Sequence, residues 1–178
     1  YGLAEATLIV TGGVRDQAPL IRPFDVASLE AGEAALASDG RRLVSSGRNL
    51  ADQQVMIVDP ETRVALAEGQ IGEVCVSGPS VALGYWNRRE ESQATFATQI
   101  KPRDGRNYLR TGDLGFLLEG ELFVTGRIKD LIIVRGVNHY PQDIELTVEH
   151  CDAALRPNSG AAFSCDFGGR SYLVVVQE

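Results

Sequence analysis

The stretch that decides the fold is YLRTGDLGFLLEGELFVTGRIKDLIIVRGVNHYPQDIE, which occupies residues 108–145. Within it, residues 115–124 predict two short apolar strands, because an acidic residue and a glycine between apolar runs, here Glu119-Gly120, indicate a tight hairpin. A charged segment follows at 126–130, and Pro141 begins a helix, where its missing N–H and fixed φ are tolerated. The stretch therefore predicts strands first and a helix afterwards.

The sequence on either side of this stretch also divides into strands and turns. Residues 53–59 and 72–77 predict two strands bounded by turn residues, and closely spaced strands of this kind indicate a small barrel or sandwich. The helix that begins at Pro141 is expected to reach residue 155. Residues 160–167 and 170–176 then predict two strands separated by a pair of glycines. The fold class predicted from these patterns is α+β.

Three local patterns complete the predicted secondary structure. Residues 6–10 predict a short apolar strand. Residues 28–37 predict a helix with the serine at its start as the N-cap. Residues 131–135 and 137–140 predict a two-stranded ribbon that turns at Gly136.

Composition and charge exclude several classes of protein. The net charge of −7, from 24 acidic and 17 basic residues, argues against a general nucleic-acid or anionic-membrane surface. The sequence has no run of about 20 apolar residues, the length that a bilayer-spanning helix requires, so no transmembrane segment is expected. With no basic and apolar leader at its start, the chain is expected to be cytoplasmic. Its lysines are Lys101 and Lys129, and the simplest interpretation of Lys129 alone is a surface lysine.

The cysteines and one aromatic pair give predictions about burial. Cys75, Cys151 and Cys165 form no Cys-x-x-Cys unit and have no metal-ligand spacing, so they are expected to be small buried thiols in a reducing compartment. Tyr85 and Trp86 are expected to pack at the edge of the strands, and the alternative is a stacking platform for a base.

Four motifs in a fixed order carry a resemblance to a known family. They are YGLAE at 1–5, GEVCVSGPSVALGYWN at 72–87, RTGDLG at 110–115, and ELFVTGRIKDLIIVRG followed by NHYPQDIE within 121–145. Together they resemble the adenylate-forming superfamily, which includes acyl-CoA synthetases, nonribosomal adenylation domains and luciferases. The last two phrases resemble its fatty acyl-AMP ligase branch. Four ordered motifs are a more specific signal than one glycine-rich loop.

The resemblance implies a division of the chain into two parts. Residues 1–126 would end the large AMP-binding N-terminal domain, including its distorted β-barrel subdomain. Residues 127–178 would be the hinge and the first part of a small α+β C-terminal domain. The extra residues at about 14–46 resemble the insertion that is a hallmark of the ligase branch, where it packs against the mobile C-terminal domain and disfavours the conformation that uses CoA. The alternative is a loop without a role.

The resemblance also assigns nucleotide-binding residues. The aromatic ring of Tyr1, with Gly2 beside it, would lie against the adenine of ATP, and the Asp113 carboxylate would accept the ribose hydroxyls. Arg127 offers a planar fork of donors for ribose and phosphate oxygens. The alternatives are a common Tyr-Gly turn and a surface ion pair between Asp113 and Arg127.

Two further residues receive roles by resemblance. Glu5 would help to hold Mg²⁺, and its alternative is an exposed cap. Lys129 falls on the hinge, where the C-terminal domain changes between the adenylating and the acyl-transferring orientation; a hinge residue absorbs changes in φ and ψ at the end of an element. The upstream phosphate loop and a catalytic lysine near the end of the family's sequences have no counterpart here. The chain is therefore expected to be a fragment that does not catalyse adenylation alone.

The function implied is that of a fatty acyl-AMP ligase. Such an enzyme forms an acyl-adenylate and pyrophosphate from a fatty acid and ATP, then transfers the acyl group to the phosphopantetheine of an acyl carrier protein in polyketide, nonribosomal or lipid synthesis. One alternative is a fatty acyl-CoA ligase with the same first step. Another is a non-catalytic module that docks a carrier protein, against which the net charge of −7 counts, because carrier proteins are usually acidic too.

Overall fold

The computed structural model describes residues 1–50, 52–134 and 137–178. The chain divides into two compact units, Tyr1–Thr125 and Gly126–Glu178.

The first unit is built on an antiparallel four-stranded sheet with two smaller two-stranded sheets. A 3-10 helix at Ala4–Ala6 precedes these elements. In chain order they are β1 (Thr11–Gly12), β2 (Ile21–Phe24), α1 (Val26–Glu30), β3 (Arg41–Val44), β4 (Arg48–Asn49), β5 (Gln54–Val58), β6 (Gly72–Ser77), α2 (Arg89–Phe96), β7 (Leu109–Leu118) and β8 (Glu121–Arg127). The last two residues of β8 belong to the second unit. The large sheet has the order β5-β6-β7-β8, and β1 pairs with β4 and β2 with β3.

Alternation of side chains places two apolar clusters on the large sheet. Val74 and Val76 of β6 belong to a cluster with Leu109 and Leu122, whereas Cys75 belongs to a second cluster with Tyr108. All six residues of β6 are buried, because the strand lies between β5 and β7. Side chains on both faces of this strand are therefore removed from water.

The predicted hairpin at 115–124 is confirmed as the β7–β8 turn. Glu119 and Gly120 have positive φ values of 53° and 77°, which is the geometry of a type I′ hairpin turn. Beyond the turn, the rings of Phe116 and Phe123 stack with centroids 5.1 Å apart, and Phe24 packs edge-on against both. Phe24 lies in the predicted insertion, so that segment is packed into the core of the unit.

Two local predictions in the first unit are wrong. Residues 6–10 do not form a strand: the 3-10 helix ends at Ala6, and Thr7 and Leu8 have positive φ values of 56° and 94°. The helix expected at 28–37 is the shorter α1, and its N-cap is Asp25, whose carboxylate accepts the Ser28 N–H. An aspartate three residues earlier supplies the acceptor that was assigned to the serine.

The second unit contains two hairpins and a helix. Its elements are a 3-10 helix at Ile128–Asp130, β9 (Ile132–Val134), β10 (Val137–His139), α3 (Pro141–Glu149), β11 (Gly160–Phe167) and β12 (Arg170–Gln177). β9 pairs with β10 and β11 with β12, all antiparallel. Gly136, where the ribbon was predicted to turn, lies outside the described residues. The helix is confirmed from Pro141 but ends six residues earlier than expected.

The fold class α+β is confirmed. Within the described residues, the large sheet is open, with β5 and β8 at its edges, and it does not close into a barrel. None of the described helices has the length and apolar character that crossing a bilayer would demand.

Candidate functional site

The turn that carries Tyr1 is held by main-chain hydrogen bonds. The Tyr1 carbonyl accepts the N–H groups of Val10 and Thr11 at 3.0 and 3.1 Å, and the Tyr1 nitrogen donates to the Thr11 carbonyl at 3.1 Å. A Cβ at Gly2 would lie 1.6 Å from the Leu8 carbonyl oxygen. Gly2 therefore allows the chain to fold back closely enough to make these bonds.

The structure brings Tyr1 and Asp113 together. The Tyr1 hydroxyl donates a hydrogen bond of 2.6 Å to the Asp113 Oδ2 atom, although 112 positions separate the two residues. Both side chains are partly exposed, so a ligand can reach them. A half-buried carboxylate beside an aromatic ring is suited to a ligand that combines hydroxyl donors with a flat base.

Asp113 lies on a bulge of β7. Arg110 pairs with Cys75 and Leu114 with Glu73, so β7 has two more residues than β6 between these pairs. The Thr111 hydroxyl donates to the Val74 carbonyl at 2.7 Å and accepts the Asp113 N–H at 3.1 Å.

Sequence reasoning missed Glu73, which contacts the same bulge. Glu73 is 2% exposed, and its carboxylate accepts hydrogen bonds from Arg110 Nε at 2.8 Å and from the Gly112 N–H at 3.1 Å. The hydrogen bond from Arg110 to this carboxylate raises the pKa of the guanidinium, although partial burial opposes the shift. The signal in the sequence was an acidic residue inside an otherwise apolar strand.

Glu5 lies in a second group of contacts. Its carboxylate Oε1 accepts the Tyr85 hydroxyl at 3.0 Å, and its carbonyl accepts the Ala82 N–H at 2.8 Å. Burial and the hydrogen bond to Glu5 both raise the pKa of Tyr85, so the hydroxyl stays protonated as a donor at neutral pH. Within residues 1–50, 52–134 and 137–178, no group of three or more His, Cys, Asp or Glu residues forms a metal site.

The prediction for the aromatic pair is half right. Tyr85 packs edge-on against Phe96, with ring centroids 5.1 Å apart. Trp86 is 94% exposed, so the prediction that it packs at the edge of the strands is wrong.

Arg127 and Lys129 belong to the second unit. Arg127 is the last residue of β8, and its side chain is exposed. Lys129 is the middle residue of the 3-10 helix and is also exposed.

A cavity of about 360 Å³ beside Tyr1 is lined largely by the insertion. Its polar side includes Ser45, Arg48 and Glu121. The Glu121 carboxylate accepts the Ser45 hydroxyl at 2.6 Å and Arg48 Nε at 2.8 Å. A second cavity of about 420 Å³, beside α2, touches none of the predicted site residues. The insertion therefore lines the cavity that includes the predicted adenine-binding residue.

Comparison with known proteins finds a family model that matches the first part of the chain and relatives that are similar along all of it. The sequence model of the AMP-binding enzyme family matches residues 1–86. A medium-chain-fatty-acid–[acyl-carrier-protein] ligase of Moorena producens is 44% identical over all of this chain and 31% of its own length. A Mycobacterium tuberculosis protein whose name is that of a fatty-acid–CoA ligase is also 44% identical, over all of this chain and 31% of its own length.

The solved structures agree. A fatty acid AMP ligase from Legionella pneumophila is 45% identical and superposes with a TM-score of 0.69, over 99% of this chain and 31% of the other. A second structure, of the fatty acyl-adenylate ligase from L. pneumophila with the same identity, TM-score and coverage, contains acyl adenylate and pyrophosphate. The chain thus spans about a third of the length of these relatives. With its ordered motifs, it belongs to the AMP-binding, adenylate-forming enzyme family, and within that family it is similar to the fatty acyl-AMP ligases.

Proposed function

We propose that the protein containing this chain is a fatty acyl-AMP ligase, which adenylates a fatty acid with ATP and transfers the acyl group to an acyl carrier protein. The observation that carries the proposal is the 2.6 Å hydrogen bond from Tyr1 to Asp113, because it joins the first and third family motifs at one point. The relative from M. producens, by its name, acts on a medium-chain fatty acid and a carrier protein.

The nucleotide binds at Tyr1 and Asp113 in this proposal. The Tyr1 ring lies against adenine, and Gly2 allows the close turn that supports the ring. The Asp113 carboxylate accepts the ribose hydroxyls, and Arg127 donates to ribose and phosphate oxygens. The donor and acceptor types present match those of a nucleoside, so the residues fit ATP. Catalysis by such a site is mainly positioning and neutralisation of charge.

Glu5 is the proposed ligand for Mg²⁺. The Tyr85 hydroxyl occupies its Oε1, and among the described residues its Oε2 accepts no hydrogen bond. One carboxylate oxygen fits a metal that is usually held by one or two carboxylates together with water and phosphate oxygens. Bound Mg²⁺ supplies positive charge that offsets the charge on the phosphates. Tyr85 fixes the direction of the carboxylate.

The hinge is proposed at Lys129. In this proposal residues 1–126 end the AMP-binding domain, and residues 127–178 are the hinge and the start of the C-terminal domain. The support is local: Lys129 is exposed in a one-turn 3-10 helix that lies between two strands. Because the reaction consumes ATP and uses a carrier protein, we place it in the cytoplasm.

The insertion at 14–46 favours a carrier protein over CoA as acceptor. It is packed through Phe24 and lines the cavity beside Tyr1, which argues against a loop without a role. The second candidate is a fatty acyl-CoA ligase, and the M. tuberculosis relative favours it, because its name describes that activity.

The deciding experiment uses the full-length protein. It is given ATP, Mg²⁺ and a fatty acid, with either CoA or a pantetheinylated carrier protein. The products are identified and quantified by mass spectrometry. We expect acyl-adenylate and acylated carrier with little acyl-CoA. Abundant acyl-CoA would favour the second candidate, a fatty acyl-CoA ligase.

The isolated chain provides the complementary test. We expect it to form no acyl-adenylate, since the proposed function needs the rest of the protein. Tight binding of the isolated chain to a carrier protein, together with no adenylation by the full-length protein, would favour a non-catalytic docking module.

A further inference from the structure

Glu73 is a buried carboxylate with an unusual set of partners. It lies in β6, the strand between β5 and β7, and is 2% exposed. Removing a carboxylate from water is costly unless it is paired and hydrogen-bonded. A valine at this place would satisfy the strand with no such cost.

The partners of Glu73 all precede Asp113 on β7. Oε2 accepts Arg110 Nε at 2.8 Å and lies 2.7 Å from Arg110 Nη2, while Oε1 accepts the Gly112 N–H at 3.1 Å. Arg110 also donates to the Pro60 carbonyl at 3.4 Å. Both oxygens of one carboxylate are therefore used within three residues of Asp113.

The bulge explains why this turn needs a buried acceptor. The two extra residues of β7 lose their ladder partners, so their N–H groups need acceptors from elsewhere. Gly112 has a φ of +74°, and its N–H points at Glu73. Glu73 thereby fixes the peptide next to Asp113, and Thr111 fixes the Asp113 N–H itself.

We propose that Glu73 is a positioning residue for the nucleotide: through Arg110 and Gly112 it holds the Asp113 carboxylate where the ribose hydroxyls bind. The inference rests on the proposed function, because it takes the ribose as the ligand of Asp113. The alternative is a purely structural role, in which Glu73 and Arg110 form an ion pair that only stabilises the sheet. The two explanations differ in which nucleotides bind more weakly when the charge of Glu73 is removed.

The test compares two nucleotides in the full-length protein. Glu73→Gln keeps the shape and removes the charge, and adenylate formation is measured with ATP and with 2′,3′-dideoxy-ATP, which lacks both ribose hydroxyls. We expect KM for ATP to rise about tenfold, the size of one charge-assisted hydrogen bond. KM for the dideoxy nucleotide should change less than about twofold, because it has nothing to donate to Asp113. The kcat at saturating ATP should change little, since the lost interaction is uniform binding.

A matched control is Glu121→Gln. Glu121 is also a largely buried carboxylate with two side-chain donors, but these are Ser45 and Arg48, away from the bulge. The control should leave the ratio of the two KM values unchanged. Equal KM increases for both nucleotides in Glu73→Gln, or no increase for either, would overturn the proposal.

Two further variants keep the result interpretable. If Glu73→Gln does not fold, Arg110→Lys keeps the charge opposite Glu73 but loses the planar fork, and it should show the same selective rise in KM at smaller size. Asp113→Asn distinguishes the assignment of Asp113 to the ribose from the positioning role of Glu73. If it leaves the preference for ATP over the dideoxy nucleotide intact, the assignment of Asp113 to ribose fails. If it abolishes the preference and Glu73→Gln does not alter it, only the role of Glu73 fails.

Discussion

Two charged turns, one in each unit, differ sharply in how they are held. The turn at 111–113 is supported from a buried strand by Glu73 and by the Thr111 hydroxyl. The turn at Ile128–Asp130 is a single 3-10 turn closed by a 3.4 Å hydrogen bond from the Leu131 N–H to the Ile128 carbonyl, and its Lys129 and Asp130 are exposed. A group that must meet a ligand benefits from a fixed position, whereas a proposed hinge benefits from few bonds to break.

The largest effect is expected at the rigid turn. Asp113→Ala should lower kcat/KM for ATP about a hundredfold or more, because two hydrogen bonds to a charged acceptor are lost. The measurement is adenylate formation by the full-length protein. Asp59→Ala, which removes an exposed carboxylate of another turn, is the control and should stay close to wild type. Similar losses in both variants would mean that Asp113 has no special contact with the nucleotide.

The next effect is expected at the exposed turn and should fall on a different step. Lys129→Pro fixes one φ angle in the proposed hinge. It should slow transfer to the carrier protein about tenfold or more and leave adenylate formation within about threefold, if the hinge rotates between the two steps. Single-turnover rates of the two steps give the answer, with Lys129→Ala as the control for the lost side chain. An equal loss in both steps would contradict the hinge assignment.

A pair of glycine substitutions compares the tolerance of the two units. A Cβ at Gly2 would lie 1.6 Å from a backbone oxygen, whereas a Cβ at Gly126 would meet the ring of Tyr140 at 2.9 Å. Gly2→Ala should therefore lower the stability of its unit by about 2 kcal/mol, since overpacking against backbone is not relieved by a rotamer change. Gly126→Ala should have the smaller effect on thermal unfolding of the full-length protein. The reverse order would show that the Tyr1 turn is the more adaptable of the two.

The smallest expected effect is a difference in thiol reactivity. Burial, and then the negative charge of Glu73, raise the pKa of Cys75 to about 12, while Cys151 and Cys165 are exposed. Maleimide labelling of the native protein, mapped by peptide mass spectrometry, should modify the two exposed thiols and spare Cys75 between pH 7 and 9. Rapid labelling of Cys75 would show that β6, the strand that also carries Glu73, opens readily to solvent.

The raised pKa of Cys75 determines the direction in which the stability of the fold changes with pH. The folded chain keeps the Cys75 proton to higher pH than the unfolded chain, whose thiols ionise near pH 8.5. The stability contributed by the neutral thiol is therefore fully present below about pH 8.5 and declines as the pH rises towards 12.

Features that depend on local chemistry could be predicted from the sequence. The turns at Glu119-Gly120 and Gly168-Gly169 have the positive φ values that their residues favour, so both hairpins were predictable. Pro141 marked the start of α3, because its missing N–H and fixed φ suit the first position of a helix. The burial of Cys75 followed from its place in an apolar strand. The prediction that Cys151 and Cys165 are buried is wrong, because no neighbouring segment in the described residues covers them.

Features that depend on distant partners could not be read from the sequence in this way. Alternation places Glu73 on the face of β6 opposite Val74, but only the pairing with β7 shows that this face is buried and meets Arg110. The approach of Tyr1 to Asp113 likewise results from long-range pairing, and only the family resemblance pointed to it beforehand. Residues 6–10 form no strand because the chain turns at Thr7 and Leu8, and the close contact at Gly2 that accompanies this turn could not be seen in the sequence.

The even number of extra residues in the β7 bulge restricts how this protein can change length. Successive side chains of a strand point to opposite faces, so an excess of two returns the chain to its original phase. Leu109 before the bulge and Leu117 after it accordingly pack against the same cluster. Loss of one residue from 111–113 would turn Phe116 away from its ring partners, whereas loss of two would keep the core and remove only the projection of Asp113. Loss of an odd number of residues from this bulge would therefore unfold the sheet, whereas loss of an even number would abolish only the proposed nucleotide site.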